Sequence, residues 1–296
     1  MSNITPFFSI IIPTYNHAHF IKRCLDCLLN QSYSNWEAIV VNNFSEDNTI
    51  EIVEGYSDPR IRLINNANGG VIAVSRNKGI SEAKGDWICF LDSDDWWYPN
   101  KLENSLPYLN DYDVIYHNLD VYTNVEKSKG IEKGRTLSGN IAKDLIVNGN
   151  GIANSSVVIR NKIVNLVGKI TEDKKLIAVE DYDYWIRVAK ITNRFKYINQ
   201  SLGGYWVGEN ISFSVKQIDR GKNLLDKYFQ DLSKDEQKVA MSTHHFNAAR
   251  IYHNLSMYTE ASRSYLKVLP TNNLNRMLRS VLGYLRCRFI SNTVFD

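Results

Sequence analysis

The stretch Trp87 to Pro99, WICFLDSDDWWYP, restricts the possible folds of this chain more than any other. Trp87 to Leu91 is too short an apolar run for a helix and reads as a strand buried on both faces, which then breaks into Asp92, Ser93, Asp94 and Asp95. In an open α/β sheet the carboxyl ends of the strands border the ligand crevice, so these acids are expected to point at a ligand and not into a core. Carboxylates so close repel one another without a cation; a hard divalent ion, held by one or two of them plus substrate phosphates, relieves the repulsion. The plainer alternative is that Asp92, Ser93 and Asp94 cap the helix that resumes around Pro99, Lys101 and Leu102.

The segments on either side set this strand in an alternating pattern. Phe7 to Ile12 is an apolar run ended by Pro13, and Trp36 to Val41 is a second such run, ending in the polar loop Asn42 to Asp47. Between them Phe20, Ile21, Cys24, Leu25, Leu28 and Leu29 recur at helical spacing. Ile61 to Ile64 reads as a third strand, and Asn65 to Gly70 leads into a helix through Ile72, Ala73, Arg76 and Ile80, with Gly85 as its expected cap. Strand and helix alternate as in a doubly wound, Rossmann-like α/β sheet, mostly parallel and flanked by helices. Three polar loops fall at strand ends: Pro13 to Asn16, Asn42 to Asp47, and Asp92 to Asp95.

Further on, Tyr112 to His117 and Ser155 to Ile159 are expected strands of a mixed sheet. Val179 to Ala189 is an expected helix with acids in its first turn, and Gly203 to Ser214 an expected mobile loop. The domain reading is 1–215 for the α/β part and 216–296 for a helical C-terminal extension, with one helical hairpin resembling a tetratricopeptide unit. In the last helix Leu274, Met277, Leu278, Val281, Leu282, Leu285 and Phe289 form one stripe, with Arg276, Arg279, Arg286 and Arg288 elsewhere. Such a segment can lie on an anionic membrane surface or dock on its own domain.

The balance of 35 basic to 32 acidic residues leaves no electrostatic footprint for nucleic acid. The net charge of +3 equals that of residues 271–296 alone, where the four arginines face only Asp296. MSNITPFF lacks the pattern of a signal peptide, and no segment approaches the roughly 18 apolar residues that span a bilayer, so a cytoplasmic protein is expected, peripheral at most on the inner face of a membrane. Four scattered cysteines exclude a disulfide scaffold. No G-x-G-x-x-G, G-x-x-x-x-G-K-[ST] or G-x-S-x-G occurs, and the histidines lack zinc spacing.

Taken in order, SIIIPTYN (Ser9 to Asn16), the loop after WEAIVV, NGGVIAVSRNKG (Asn68 to Gly79), FLDSDDWWYPNKL (Phe90 to Leu102) and VEDYDYWIR (Val179 to Arg187) resemble the inverting GT-A glycosyltransferases known as family two, in their bacterial surface-polysaccharide type. Each string alone is weak; the ordered set, spanning about residues 7 to 215, is specific. The resemblance implies Pro13, Thr14 and Tyr15 around a nucleotide, Asn43 reading the base edge, Arg76 near the donor, and Asp92 near the ribose. It further implies Asp94, with Asp92, on a Mg²⁺ or Mn²⁺ bridging a diphosphate, and Asp181, or failing that Glu180, as the base. The donor it implies is a nucleotide sugar, with a UDP-sugar favoured, and the acceptor a saccharide or lipid-linked saccharide. Trp96, Trp97, Tyr98, Tyr205 and Trp206 could stack on sugar faces, one or two at most.

This chain departs from the family at Asn42, Asn43 and Phe44, where many members carry two aspartates and a glycine. An Asn carbonyl still accepts a hydrogen bond, but the amide also donates, which loosens the case for uridine; Phe44 implies that no positive φ is needed there. The competing readings are a sugar nucleotidyltransferase, which lacks here the basic Gly-rich loop it would carry after the first strand, and a non-catalytic nucleotide or sugar binder or adaptor.

Overall fold

A computed structural model of the chain describes residues 5–123, 128–208, 214–268 and 273–293. The two apolar runs become β1 (Phe8–Thr14) and β2 (Trp36–Asn42), buried at every position. With β3 (Ile61–Asn65) beside β2 and β4 (Trp87–Phe90) beside β1, they form a parallel set. Strands covered on both faces need continuous apolar sequence, which is why these runs do not alternate. The connections are α1 (Ala18–Leu29), α2 (Thr49–Glu54) and α3 (Ile72–Glu82), and α1 packs Ile21, Cys24, Leu25 and Leu28 into one core with Ile10, Ile12, Trp36 and Val40. The α3 helix ends at Glu82 with Ala83 already extended, so Gly85 is not its cap.

Beyond the acidic tip come β5 (Trp96–Trp97), α4 (Lys101–Ser105), β6 (Val114–Tyr122), β7 (Ser128–Glu132), α5 (Ile141–Asn148), β8 (Val158–Arg160), α6 (Asn161–Val167), α7 (Glu180–Ile191) and β9 (Phe195–Trp206). The nine strands of the described residues make one sheet in the order β3-β2-β1-β4-β8-β6-β9-β5, with β7 on β6; β8 enters antiparallel, so the sheet is parallel on one side and mixed on the other. The expected α/β class is the one observed. Two local expectations fail. Asn154–Ser156 form a tight 3-10 turn, which trims the strand expected from Ser155. Gly203–Trp206, expected in a mobile loop, are the end of β9, paired to both β5 and β6; Glu209 to Phe213 of that segment lie outside the described residues.

By backbone proximity the chain divides into two compact units. One comprises residues 1–138, 151–172 and 180–208 and carries the sheet; the other comprises 139–150, 173–179 and 209–296. The second contains α5 and four further helices: α8 (Lys216–Tyr228), α9 (Lys234–Asn254), α10 (Tyr258–Leu266) and α11 (Leu274–Thr293). Ser233 and Glu236 close a reciprocal capping box at the start of α9, and Phe246, Ala249, Ala261, Tyr265, Val268 and Cys287 form this unit's core.

One core residue of the first unit breaks the usual rule. Lys101 on α4 is wholly buried, its Nζ 3.5 Å from the centre of the Trp97 ring and beside the Cys89 thiol. Burial lowers its pKa from 10.5 to about 8. Below pH 8 the lysine is charged whether folded or unfolded, and its desolvation cost is fully present. Above pH 8 the unfolded chain holds the extra proton, so stability rises with pH. Burial also pushes the Cys27 thiol up from 9 to about 12, which makes stability fall with pH above 9, so the lysine's rise is expected between pH 8 and 9. Lys101→Met should abolish that rise and gain up to about 3 kcal/mol at neutral pH, read by urea unfolding at several pH values. Parallel pH profiles for the two proteins would contradict it.

Candidate active site

The carboxyl ends of β2, β1 and β4 lie side by side, and side chains tie the three loops that leave them to one another. Asn16, with φ 51°, donates its backbone N–H to Ser45 Oγ (2.9 Å), and its side-chain oxygen accepts from Glu46 N–H (2.8 Å). His17 Nδ1 lies 2.7 Å from Ser93 Oγ, joining the first loop to the acidic tip. Thr14 closes β1, buried, and its Oγ1 has no hydrogen-bond partner among the described residues, while Tyr15 beside it is 47% exposed. Pro13 is part of the buried strand.

The acidic tip divides its labour. Asp95 does not face a ligand: it is 1% exposed and accepts from Ser155 Oγ (2.5 Å) and Trp206 N–H (2.8 Å). Burial and the neighbouring Asp94 and Asp92 charges hold its carboxyl well above the usual range. The expectation that all three acids point outward is therefore corrected for Asp95, because this residue, just before β5, meets Ser155 in the 3-10 turn ahead of β8 and Trp206 at the end of β9. Asp92 Oδ1 accepts from Arg76 Nη2 (2.8 Å), and its backbone N–H donates to Ser155 Oγ (3.1 Å). Asp94 has its carboxyl pushed up to about 7, first by burial and then by the Asp92 charge beside it.

Arg76 ties the two acidic elements together. Placed by the first turns of α3 and 4% exposed, it donates through Nη2 to Asp92 and through Nη1 to Glu180 Oε1 (2.5 Å) at the start of α7. Burial alone would lower its pKa; the Asp92 and Glu180 charges outweigh that and hold it above its ordinary value. Glu180 is thus committed to an ion pair, 4% exposed. Asp181, the next residue, is half-buried and accepts from Tyr182 N–H (2.7 Å). Its carboxyl is pushed up to about 7 by burial and by the Glu180 charge. Asp92, Asp94, Arg76, Glu180 and Asp181 therefore share one electrostatic neighbourhood.

In the second loop, Asn42 is fully buried, donating to Asn65 Oδ1 (2.7 Å) and accepting from Ser45 Oγ (2.6 Å). Asn43 Oδ1 accepts from Asn68 N–H (2.8 Å), which commits one of its two lone pairs within the protein. Phe44 has φ 55° and is 58% exposed, contrary to the expectation that it avoids positive φ. The buried Asn42 side chain fixes the loop's course two residues later, so the bulky residue takes a conformation that glycine would take at no cost.

Of the aromatic candidates, Trp97 is core, 2% exposed, its Nε1 donating to Ser155 O (2.7 Å). Trp96 and Trp206 are half-buried. The Arg23 guanidinium lies 3.9 Å from the Trp96 ring and 5.1 Å from that of Trp206, and donates to the Asp94 backbone carbonyl. Neither Arg23 nor His17 was legible as part of the site: Arg23 is a polar position in the middle of an amphipathic helix, and His17 sits immediately ahead of it.

No group of three or more His, Cys, Asp or Glu side chains poised for a metal is present among the described residues. The Asp92 and Asp94 carboxylates nonetheless fit a hard divalent cation that draws its other ligands from a diphosphate and water; burial is the first cause of the raised Asp94 pKa, and the Asp92 charge that adds to it is what such an ion would offset.

The model of the family described as glycosyl transferase family 2 matches residues 9–155. The amylovoran biosynthesis glycosyltransferase AmsB of Erwinia amylovora is 30% identical over 73% of this chain and 77% of its own length. The Escherichia coli protein WfgD, a UDP-Glc:alpha-D-GlcNAc-diphosphoundecaprenol beta-1,3-glucosyltransferase, is 33% identical over 62% of this chain and 70% of its own. Among solved structures, S. aureus TarS superposes with a TM-score of 0.62 at 18% identity, over 97% of this chain and 54% of TarS, a likeness of fold.

Proposed function

The chain belongs to glycosyl transferase family 2 and is a glycosyltransferase; from that premise we propose that it transfers a sugar, with inversion, from a UDP-sugar to a hydroxyl of a saccharide or lipid-linked saccharide in polysaccharide biosynthesis. The observation that carries this reading is the pair of ion pairs made by Arg76, which links the acidic tip to the helix that bears Asp181. The activity of WfgD, with a UDP-sugar donor and a diphosphoundecaprenol-linked acceptor, supports the donor and acceptor classes.

In this reading Asp94 and Asp92 would hold Mg²⁺ or Mn²⁺, which would supply charge stabilisation to a departing nucleoside diphosphate. Asp181 takes the proton of the attacking hydroxyl; an alcohol is too weakly acidic to attack without such a base. Glu180 and Arg76 position that base. A single base with no second nucleophile leads to one displacement and an inverted anomeric centre. Pro13, Thr14 and Tyr15 border the nucleotide, and the base edge is read by Asn43 through its amide and its remaining lone pair.

Calorimetric titration of UDP with and without Mn²⁺ tests the metal and the nucleotide together. Wild type should bind UDP at least about tenfold more tightly with the ion, and Asp94→Ala should lose that gain. A gain retained in the variant would remove the metal assignment, and preference for another nucleotide would remove uridine. Transfer assays with a panel of UDP-sugars then identify the donor.

A further inference from the structure

The α11 helix packs on its own unit through the side opposite to the one hydrophobicity favours. Ser280 is 1% exposed and Cys287 fully buried on the packed face. Between them a Cβ added to Gly283 would come within 2.5 Å of the Tyr265 ring, so only a residue without a side chain lets the helix approach α10 this closely. Small residues line the middle of the joint, with Tyr284 packed against the same core and Arg276 buried beside them, and none of the six large apolar residues of the stripe takes part.

The large apolar side chains are left outside. Leu274 is 67% exposed, Leu278 52%, Val281 41%, Leu282 66%, Leu285 56% and Phe289 73%. On a helix of about 3.6 residues per turn these six lie on one stripe, opposite Ser280, Gly283 and Cys287. Scattered exposed apolar residues are ordinary, but a continuous row along a 20-residue helix marks a surface that meets something. The borders of the row name the partner's charge. Arg279 and Arg286 run along one edge and Arg288 lies on the other, all three exposed, and residues 273–293 contain no Asp or Glu.

We propose that this face of α11 is a docking surface for an anionic phospholipid bilayer, its leucines and phenylalanine entering the acyl boundary and its arginines meeting lipid phosphates. No helix of the described residues is long and apolar enough to cross a membrane, so the helix lies in the plane of the interface. Charge argues against a second copy of the same face. A two-fold pairing of the stripe would bring arginine edges together, and α11 itself supplies no carboxylate among residues 273–293 to answer them. An anionic headgroup layer neutralises both edges at once. The inference stands apart from the transferase reading, because it is tested without a sugar nucleotide.

The full chain is sedimented with phosphatidylcholine vesicles with and without phosphatidylglycerol. It should pellet with the anionic vesicles and stay in solution with the neutral ones, and raised salt should weaken the binding. Leu278→Glu/Leu282→Glu changes only exposed positions, and circular dichroism checks that the helices persist. This variant and Arg279→Gln/Arg286→Gln should each lower the bound fraction by about tenfold or more. The proposal is overturned if wild type ignores anionic vesicles, if it binds both compositions alike, or if light scattering shows a dimer that Leu278→Glu/Leu282→Glu dissolves while vesicle binding is absent.

Discussion

Asp181→Asn is expected to lower kcat by about a thousandfold while leaving the KM for the nucleotide sugar nearly unchanged. The amide keeps the size and most of the hydrogen bonding of the carboxylate but cannot accept a proton. The loss should therefore fall on the step in which the acceptor hydroxyl attacks and not on donor binding. A pH profile separates this role from a structural one. With its carboxyl pushed up to about 7 by burial and the Glu180 charge, Asp181 as the proposed base would be idle below that pH and competent above it. Wild-type kcat should rise with pH through about 7 and then level off, and the rising limb should be missing from the residual activity of the variant. Activity within about tenfold of wild type, with the limb intact, would take the base away from this position.

The second large effect is on stability. Arg76→Met removes a buried guanidinium that pairs with both Asp92 and Glu180. The Glu180 side chain, 6% exposed, is then left charged with nothing to compensate it, a defect that costs about 3 to 5 kcal/mol. Urea unfolding reads this directly. Because the cost lies in the orphaned charge, Arg76→Met/Glu180→Gln should recover a good part of the stability without recovering activity. A single variant within about 1 kcal/mol of wild type would mean that the pairs hold nothing together.

What could be read from the sequence and what could not divide along a physical line. Trp36 to Val41 announces a strand covered on both faces, and Glu180, Asp181 and Asp183 announce a helix start, because both signals are local. Most of the failures depend on neighbours distant in the chain. Gly203 and Gly204 have a loop-like composition, yet they belong to β9 because the Trp96 side chain lies flat across Gly204, where a Cβ would fall within 2.2 Å of the ring. Asp95 reads as one more outward acid until Ser155 and Trp206 arrive to bind it. The positive φ of Phe44 contradicts its own side chain and is imposed by Asn42 two residues earlier. In α11 the apolar stripe is plain in the sequence, but which face docks is decided by the fit of Gly283 to Tyr265. The ion pairs of Arg76, 16 and 104 residues from its partners, have no local signature at all.

The inward turn of Asp95 has a bearing on how enzymes of this build diversify. Its two hydrogen bonds rivet the peptide that also carries Asp94 to Ser155 and Trp206, so in the proposed reading Asp92 and Asp94 would not drift to suit a bulkier donor without tearing that fastening. On that reading, tolerance for new substrates would be found at the rim, where the rings of Tyr15 and Phe44 stand in solvent and can be exchanged without disturbing the rivet.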